Sequence, residues 1–257
     1  MQCKMVLKRI VPVILLAVVL LMMNSADARA ERKTVKLAYV EWSEAMATTH
    51  MARAMLQEKL GYNCEMIPMK ADEMWQAVAE GEVDAMLAAW LPDLHAHYYE
   101  EYKNDVENLG PNMVGTRTGL VVPNVTLGRQ TAATGMRNEP YIKADSIPDL
   151  KKYADKFHYS IEGIDAEAGI MKRTERALKE YGLYEFSLIK GSEKTMTKAL
   201  SEAIRKQEWI VVTGWVPHWM FARWELKFLE DPKNVFGKEP GRIDTIVRKG
   251  LDSDMPE

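Results

Sequence analysis

Three tryptophans far apart in the chain close short apolar runs: Val40-Glu41-Trp42, Ala88-Ala89-Trp90 and Thr213-Gly214-Trp215. Each run has the length and composition of a β-strand. In an open α/β sheet the C-terminal strand tips line the ligand crevice, so the three indoles are expected to converge on one site. Tryptophan offers the strongest cation–π face, and several such faces can hold a quaternary ammonium group, which has no N–H to donate. Most tryptophans serve as packing, and Trp75, Trp209, Trp219 and Trp224 are read that way.

The elements that must position these indoles alternate between strand and helix patterns, which indicates a parallel-rich α/β fold. Val35–Val40 suits a buried strand, and Ala47, Met51, Ala54 and Met55 follow at helical spacing until Gly61. Cys64–Pro68, Met74–Glu80 and Val83–Ala88 repeat strand, helix, strand, and Leu91–Lys103 reads as helical. Val114–Pro123 is another strand. Residues 124–144, rich in Thr, Gly, Asn and Pro without periodicity, read as an exposed connection. A second α/β unit starts at Ser146, taken as a helix cap. It continues through strand Tyr159–Ile164, helix Gly169–Tyr181, strand Glu185–Ile189, a helix marked by Met196, Ala199, Leu200, Ala203 and Ile204, and strand Trp209–Thr213. Strand-like Thr245–Arg248 closes the chain. The pattern predicts a two-lobed clamshell: a signal peptide at 1–30, lobe I at 31–122 and 217–257, and lobe II at 123–216.

The segment assigned to export carries Lys4, Lys8 and Arg9 ahead of the apolar run Ile10–Met23, broken only by Pro12, and ends in Ala28-Arg29-Ala30, a small-x-small cleavage signal. Fourteen apolar residues are short for a membrane span. Cleavage after Ala30 would leave 227 residues and move the formal charge from −3 to −6. A mildly acidic chain lacks the electrostatic footprint of a nucleic-acid binder. Cys64 alone would remain, so stability must come from burial rather than a disulfide. The expected location is the periplasm and the expected state a monomer.

The stretches Tyr39-Val40-Glu41-Trp42, Ala89-Trp90-Leu91-Pro92, Gly119–Pro123, Gly163-Ile164, Ala168-Gly169-Ile170-Met171 and Thr213–Phe221 resemble the glycine betaine receptors of ABC importers, which have the type II periplasmic binding-protein fold. The similarity runs in matching order over residues 33–250. It implies an inter-lobe ligand site in which Trp42, Trp90 and Trp215 surround a trimethylammonium group, while His95 and the backbone amides of Gly169 and Ile170 hold a carboxylate. It implies an ABC permease as partner, no cofactor and no catalysis. The helix predicted to open at Gly169 fits an anion at its N-terminus, where free N–H groups and the positive dipole end lie.

Two other readings compete. Choline receptors of the same family place an acid near the first cage tryptophan, and Glu44 lies two residues after Trp42, which makes it a possible site residue. A metal-dependent periplasmic enzyme would use Asp93, His95 and His97, but on a helix residues i and i+2 diverge and cannot share an ion. No nucleophile elbow, phosphate loop or zinc-protease helix is present. The carboxylate pattern favours glycine betaine, proline betaine or dimethylsulfoniopropionate over choline. A charged His95 facing the carboxylate would make affinity strengthen on acidification through about pH 6.5, with Glu44 ionised throughout. His218 is read as a structural hydrogen-bonder.

Overall fold

The structure, a computed structural model, describes residues 34–124, 140–237 and 240–255. The signal-peptide assignment, and most of the connection at 124–144, lie outside the described residues. Nine strands and eight helices are described. Strand β1 (Thr34–Tyr39) leads to helix α1 (Ser43–Glu58), β2 (Asn63–Pro68), α2 (Ala71–Ala79), β3 (Ala85–Leu91), α3 (Ala96–Tyr102) and the long β4 (Val106–Pro123). The second part has α4 (Asp149–Lys152), β5 (Ser160–Glu162), α5 (Gly169–Glu180), β6 (Ser187–Ile189), α6 (Glu193–Lys206), β7 (Val212–Val216), α7 (Met220–Arg223) and β8 (Leu226–Phe228). β9 (Gly241–Arg248) and α8 (Leu251–Asp254) return to the first.

Strand order is β2-β1-β3-β9-β4-β7-β5-β6, with β8 on β4. β4 belongs to two sheets. Its residues 106–116 pair antiparallel with β9 beside the parallel β2-β1-β3 set, and from Arg117 it pairs antiparallel with β7 beside the parallel β5 and β6. The register of β4 against β9 shifts at Asn108/Gly110, Pro111/Met113 and Val114/Thr116, irregularities that let one strand bend from sheet to sheet. The backbone therefore passes between sheets near residues 116–117, and again between β8 and β9. The sequence placed its lobe boundaries at 122–123, beside the end of a predicted strand, and at 216–217, three residues past one; a strand that continues through both sheets leaves no break in its pattern.

Other differences have local causes. β3 runs on through Trp90 and Leu91 and helix α3 starts only at Ala96. Pro92 disfavours helical backbone at Leu91, so residues from Leu91 to His95 finish a strand and turn. β7 begins three residues later than predicted, so Trp215 lies within the strand near its end. Ser146 caps no helix; it bridges Glu230, and its N–H and hydroxyl donate to Asp149. Buried Trp75, Met74, Leu120, Ile147, Leu150, Ile161 and Met171 are among the residues that pack the helices onto the sheets. Among the described residues no helix is long and apolar enough to cross a membrane.

Candidate functional site

The helix N-termini and strand ends meet in the cleft between the two sheets. A narrow cavity opens there, about 280 Å³ counting all space between atoms and the solvent at its mouth, and its walls include Trp42, Glu44, Trp90, His95, Gly169, Ile170 and Trp215. These are all the residues that the sequence singled out, brought together from both halves of the fold. Trp42 stands at the turn after β1, Trp90 near the end of β3, and Trp215 near the end of β7. All three indoles are more than nine-tenths buried. Leu94, Thr118, Ile164 and Ala168 complete the lining. Ile164 and Ala168 lie in stretches that carry the resemblance, whereas nothing in the sequence marks Leu94 and Thr118 beyond adjacency to such positions.

His95 shows what the sequence could not. It is the residue before α3 and is fully buried. Its Nδ1 accepts two hydrogen bonds, from the Trp75 indole N–H and from the Trp90 backbone N–H, each at 3.2 Å. A nitrogen that accepts cannot carry a proton, so the neutral ring holds its hydrogen on Nε2. Burial, with the nearby charges of His97 and Lys172, pushes the imidazolium pKa down to about 3. Nε2 has no partner among the described residues. His95 is thus a neutral donor, which corrects the expectation of a charged imidazole strengthening affinity near pH 6.5. Trp75, read as packing only, is indeed buried, and it also fixes this tautomer.

Glu44 lines the opposite chemistry. Trp215 donates its indole N–H to Glu44 Oε2 at 2.9 Å, while Oε1 has no partner among the described residues. Burial pushes its carboxyl up to about 7; the Trp215 and Trp90 indoles pull it back only partly, and the Glu193 charge adds to the rise. Without a cation beside it, Glu44 is thus held toward its protonated form, whereas the expectation that it is ionised concerns the complex, where a ligand's positive charge opposes the effect of burial.

Helix α5 opens on Gly169 after Ala168, which supplies no side-chain cap. The first amides of a helix have no carbonyl within it to bond, so those of Gly169 and Ile170 are suited to an acceptor from outside. Gly169 is needed for packing as well: a Cβ there would come within 2.6 Å of the Leu94 carbonyl oxygen across the cleft. By contrast, α6 is capped by its own Ser192, whose hydroxyl accepts the Thr195 N–H.

Asp93, His95 and His97 part ways. Asp93 pairs with Arg173 at 3.3 Å, His95 faces Trp75 and Trp90, and His97 Nε2 lies 2.9 Å from Lys172 Nζ. No group of three metal-ligating side chains occurs among the described residues. Trp209 packs on Tyr153 and Phe157, but Trp219 is 42 % exposed and donates its N–H toward Ser43 and Glu193. That corrects its assignment to packing, since the segment after β7 runs along the cleft rim. His218 is buried and accepts the Met220 N–H at Nδ1.

Two α/β units with a strand common to both sheets and an indole-walled cavity in the cleft define a clamshell of the type II periplasmic binding-protein fold. The family model for the substrate binding domain of ABC-type glycine betaine transport systems, OpuAC, matches residues 33–257, and the chain belongs to that family. It is similar to lactococcal OpuAC in its closed-liganded conformation complexed with glycine betaine: 37% identity, TM-score 0.75, covering 88% of this chain and 81% of that one. It is also similar to the glycine/betaine/L-proline-binding protein ProX of Borrelia burgdorferi, with 37% identity and TM-score 0.74 over 86% of this chain and 77% of that one. The glycine betaine/carnitine transport binding protein GbuC of Listeria monocytogenes is 47% identical over 127 residues. That match covers 49% of this chain and 40% of GbuC, so the chain accounts for less than half of that relative's length.

Proposed function

We propose that this chain is an extracytoplasmic receptor that binds glycine betaine, or a related carboxylated quaternary ammonium or sulfonium compound, in the inter-lobe cavity and delivers it to an ABC permease. One observation carries the reading: a single cavity is walled by three indoles and also presents the partnerless His95 Nε2–H and the uncapped start of α5. The indoles suit a methylated cation, and His95 with Gly169 and Ile170 suits a carboxylate a few bonds away. Neutral His95 donates without carrying charge, so it selects an acceptor rather than an anion in general.

Lobe I, in this reading, comprises residues 34–116 and 241–255, and lobe II the part between, with hinges at the two passages between sheets. Ligand contacts come from both lobes, so closure accompanies binding. The protein is taken to act as a monomer, exported through the segment 1–30, without a cofactor or a catalytic step. A choline receptor is the second reading, favoured by the partnerless Glu44 Oε1 in the cavity wall. A calorimetric panel of glycine betaine, proline betaine, dimethylsulfoniopropionate and choline tests both. The proposal expects micromolar binding of a carboxylated ligand, about −8 kcal/mol. Absence of heat with every carboxylated member would sink it, and tight binding of choline alone would install the second reading.

A further inference from the structure

Outside the cavity, another set of contacts crosses the cleft through residues that do not line it. Ser43, the first residue of α1, donates its backbone N–H to Glu193 Oε2 at 2.8 Å, and its hydroxyl donates to Glu193 Oε1. Glu193 heads α6 in the other lobe. Trp219 Nε1 lies 3.0 Å from Ser43 Oγ and 3.1 Å from Glu193 Oε1, and His218 Nε2 lies 3.2 Å from the same oxygen.

The reason for this arrangement lies at the start of α1. The residue preceding that helix is Trp42, which makes no side-chain capping bond; its indole lines the cavity and donates to Asp165 Oδ2 at 2.8 Å. A residue used for the ligand wall cannot also cap the helix, so the first amides of α1 need an acceptor from elsewhere. The Glu193 carboxylate supplies one from across the cleft and places negative charge at the positive end of the helix. Burial would raise its pKa, but the close approach of His218 Nε2 and the hydrogen bonds from Ser43 outweigh this and hold it below the usual carboxylate range, so it is ionised at neutral pH. His218 and Trp219 lie in Glu193's own lobe and can stay with it when the lobes part. The two bonds from Ser43 to Glu193, and the one Ser43 accepts from Trp219, join the lobes and would be lost on parting them.

We propose that Glu193 is a closure latch, a positioning residue that caps helix α1 across the cleft and sets how long a ligand stays bound without touching it. The proposal rests on the reading of the cavity as the ligand site.

Two variants isolate the latch. Glu193→Gln keeps shape and removes charge. Ser43→Pro removes both donors from a first helical position where proline is well tolerated, and Trp42 already has the extended backbone (φ −96, ψ 143) that a following proline requires. Rates of glycine betaine association and dissociation are read by stopped-flow tryptophan fluorescence, alongside melting of the ligand-free proteins. Loss of a charge-assisted hydrogen-bond pair should raise the dissociation rate of each variant by about tenfold or more, with the association rate changed less than about threefold. Ligand-free melting of Ser43→Pro should be unchanged, while Glu193→Gln, which also removes charge from the first turn of α6 and from beside His218 and Trp219, should melt somewhat lower; in dissociation rate the double variant should be no worse than the worse single one, since both remove the bond between Ser43 and a charged Glu193. If wild type binds betaine and both variants release it at the wild-type rate, or if the two effects add, the latch is refuted while the ligand reading stands. If wild type binds no member of the panel, the ligand reading falls and the latch with it.

Discussion

Glu44 couples ligand binding to pH, and in the opposite sense to a histidine-based site. In the closed form, before a cation is beside it, burial between the lobes pushes its carboxyl up to about 7 from 4.5. That displacement corresponds to about 3 kcal/mol opposing its ionisation. A quaternary ammonium roughly 5 Å away, at an effective dielectric constant of about 20, returns about 3 kcal/mol to the ionised form. The bound-state pKa then falls to roughly 5, so binding releases about half a proton at pH 7. With those two values, affinity of the closed form weakens about twentyfold between pH 8 and pH 5.5. Calorimetric titrations of glycine betaine across that range, in buffers of different ionisation enthalpy, would measure both the slope and the proton release. Glu44→Gln should flatten the profile, with an affinity near that of acidified wild type. Affinity that rises on acidification would refute the reasoning and return the proton to His95; so would a slope that survives in Glu44→Gln. The same shift acts on folding. The Glu44 contribution to stability of the closed form is full below about pH 4.5 and is lost as pH rises through about 7, so saturating ligand should raise the melting temperature more at pH 8 than at pH 5.5.

His95 should stay neutral, showing no titration by NMR between about pH 5 and 8, and His95→Ala should weaken betaine by about 1–3 kcal/mol at every pH while hardly affecting choline. Trp75→Phe, which deletes the N–H that Nδ1 accepts, should cost betaine affinity about tenfold by calorimetry through the loosened tautomer, beyond any loss of stability. Gly169→Ala puts a methyl against the Leu94 carbonyl oxygen, at 2.6 Å, and should block full closure; scattering would show liganded dimensions closer to the open form. Trp90→Ala or Trp215→Ala should lose about 2 kcal/mol of binding, with Phe recovering part of it.

Much of this was legible because the informative residues sit at positions that local rules can identify. The apolar runs before Trp42, Trp90 and Trp215 mark strand ends and Gly169 followed by a helical pattern marks a helix start, whereas the roles of His95, Gly169 and Ile170 came from the resemblance to the glycine betaine receptors. The split of the strand pattern into two α/β units likewise came from periodicity. What the pattern did not carry was β4, where a bend between sheets leaves the alternation running on, and α3, where Pro92 delays a helix that composition would begin at Leu91.

The chemistry of the site was decided by tertiary structure. A histidine's charge depends on which groups face its two nitrogens, and the donors to His95 Nδ1 come from Trp75, twenty residues away, and from the Trp90 backbone. Glu44 takes its high pKa from burial between lobes, and Glu193 reaches Ser43 from 150 residues further along the chain. The amino-acid sequence by itself determined which side chains are available at strand tips and helix starts, because those positions follow from propensity and period. Only the closed fold decided their protonation and partners, because desolvation and hydrogen bonding are set by neighbours that no local pattern records.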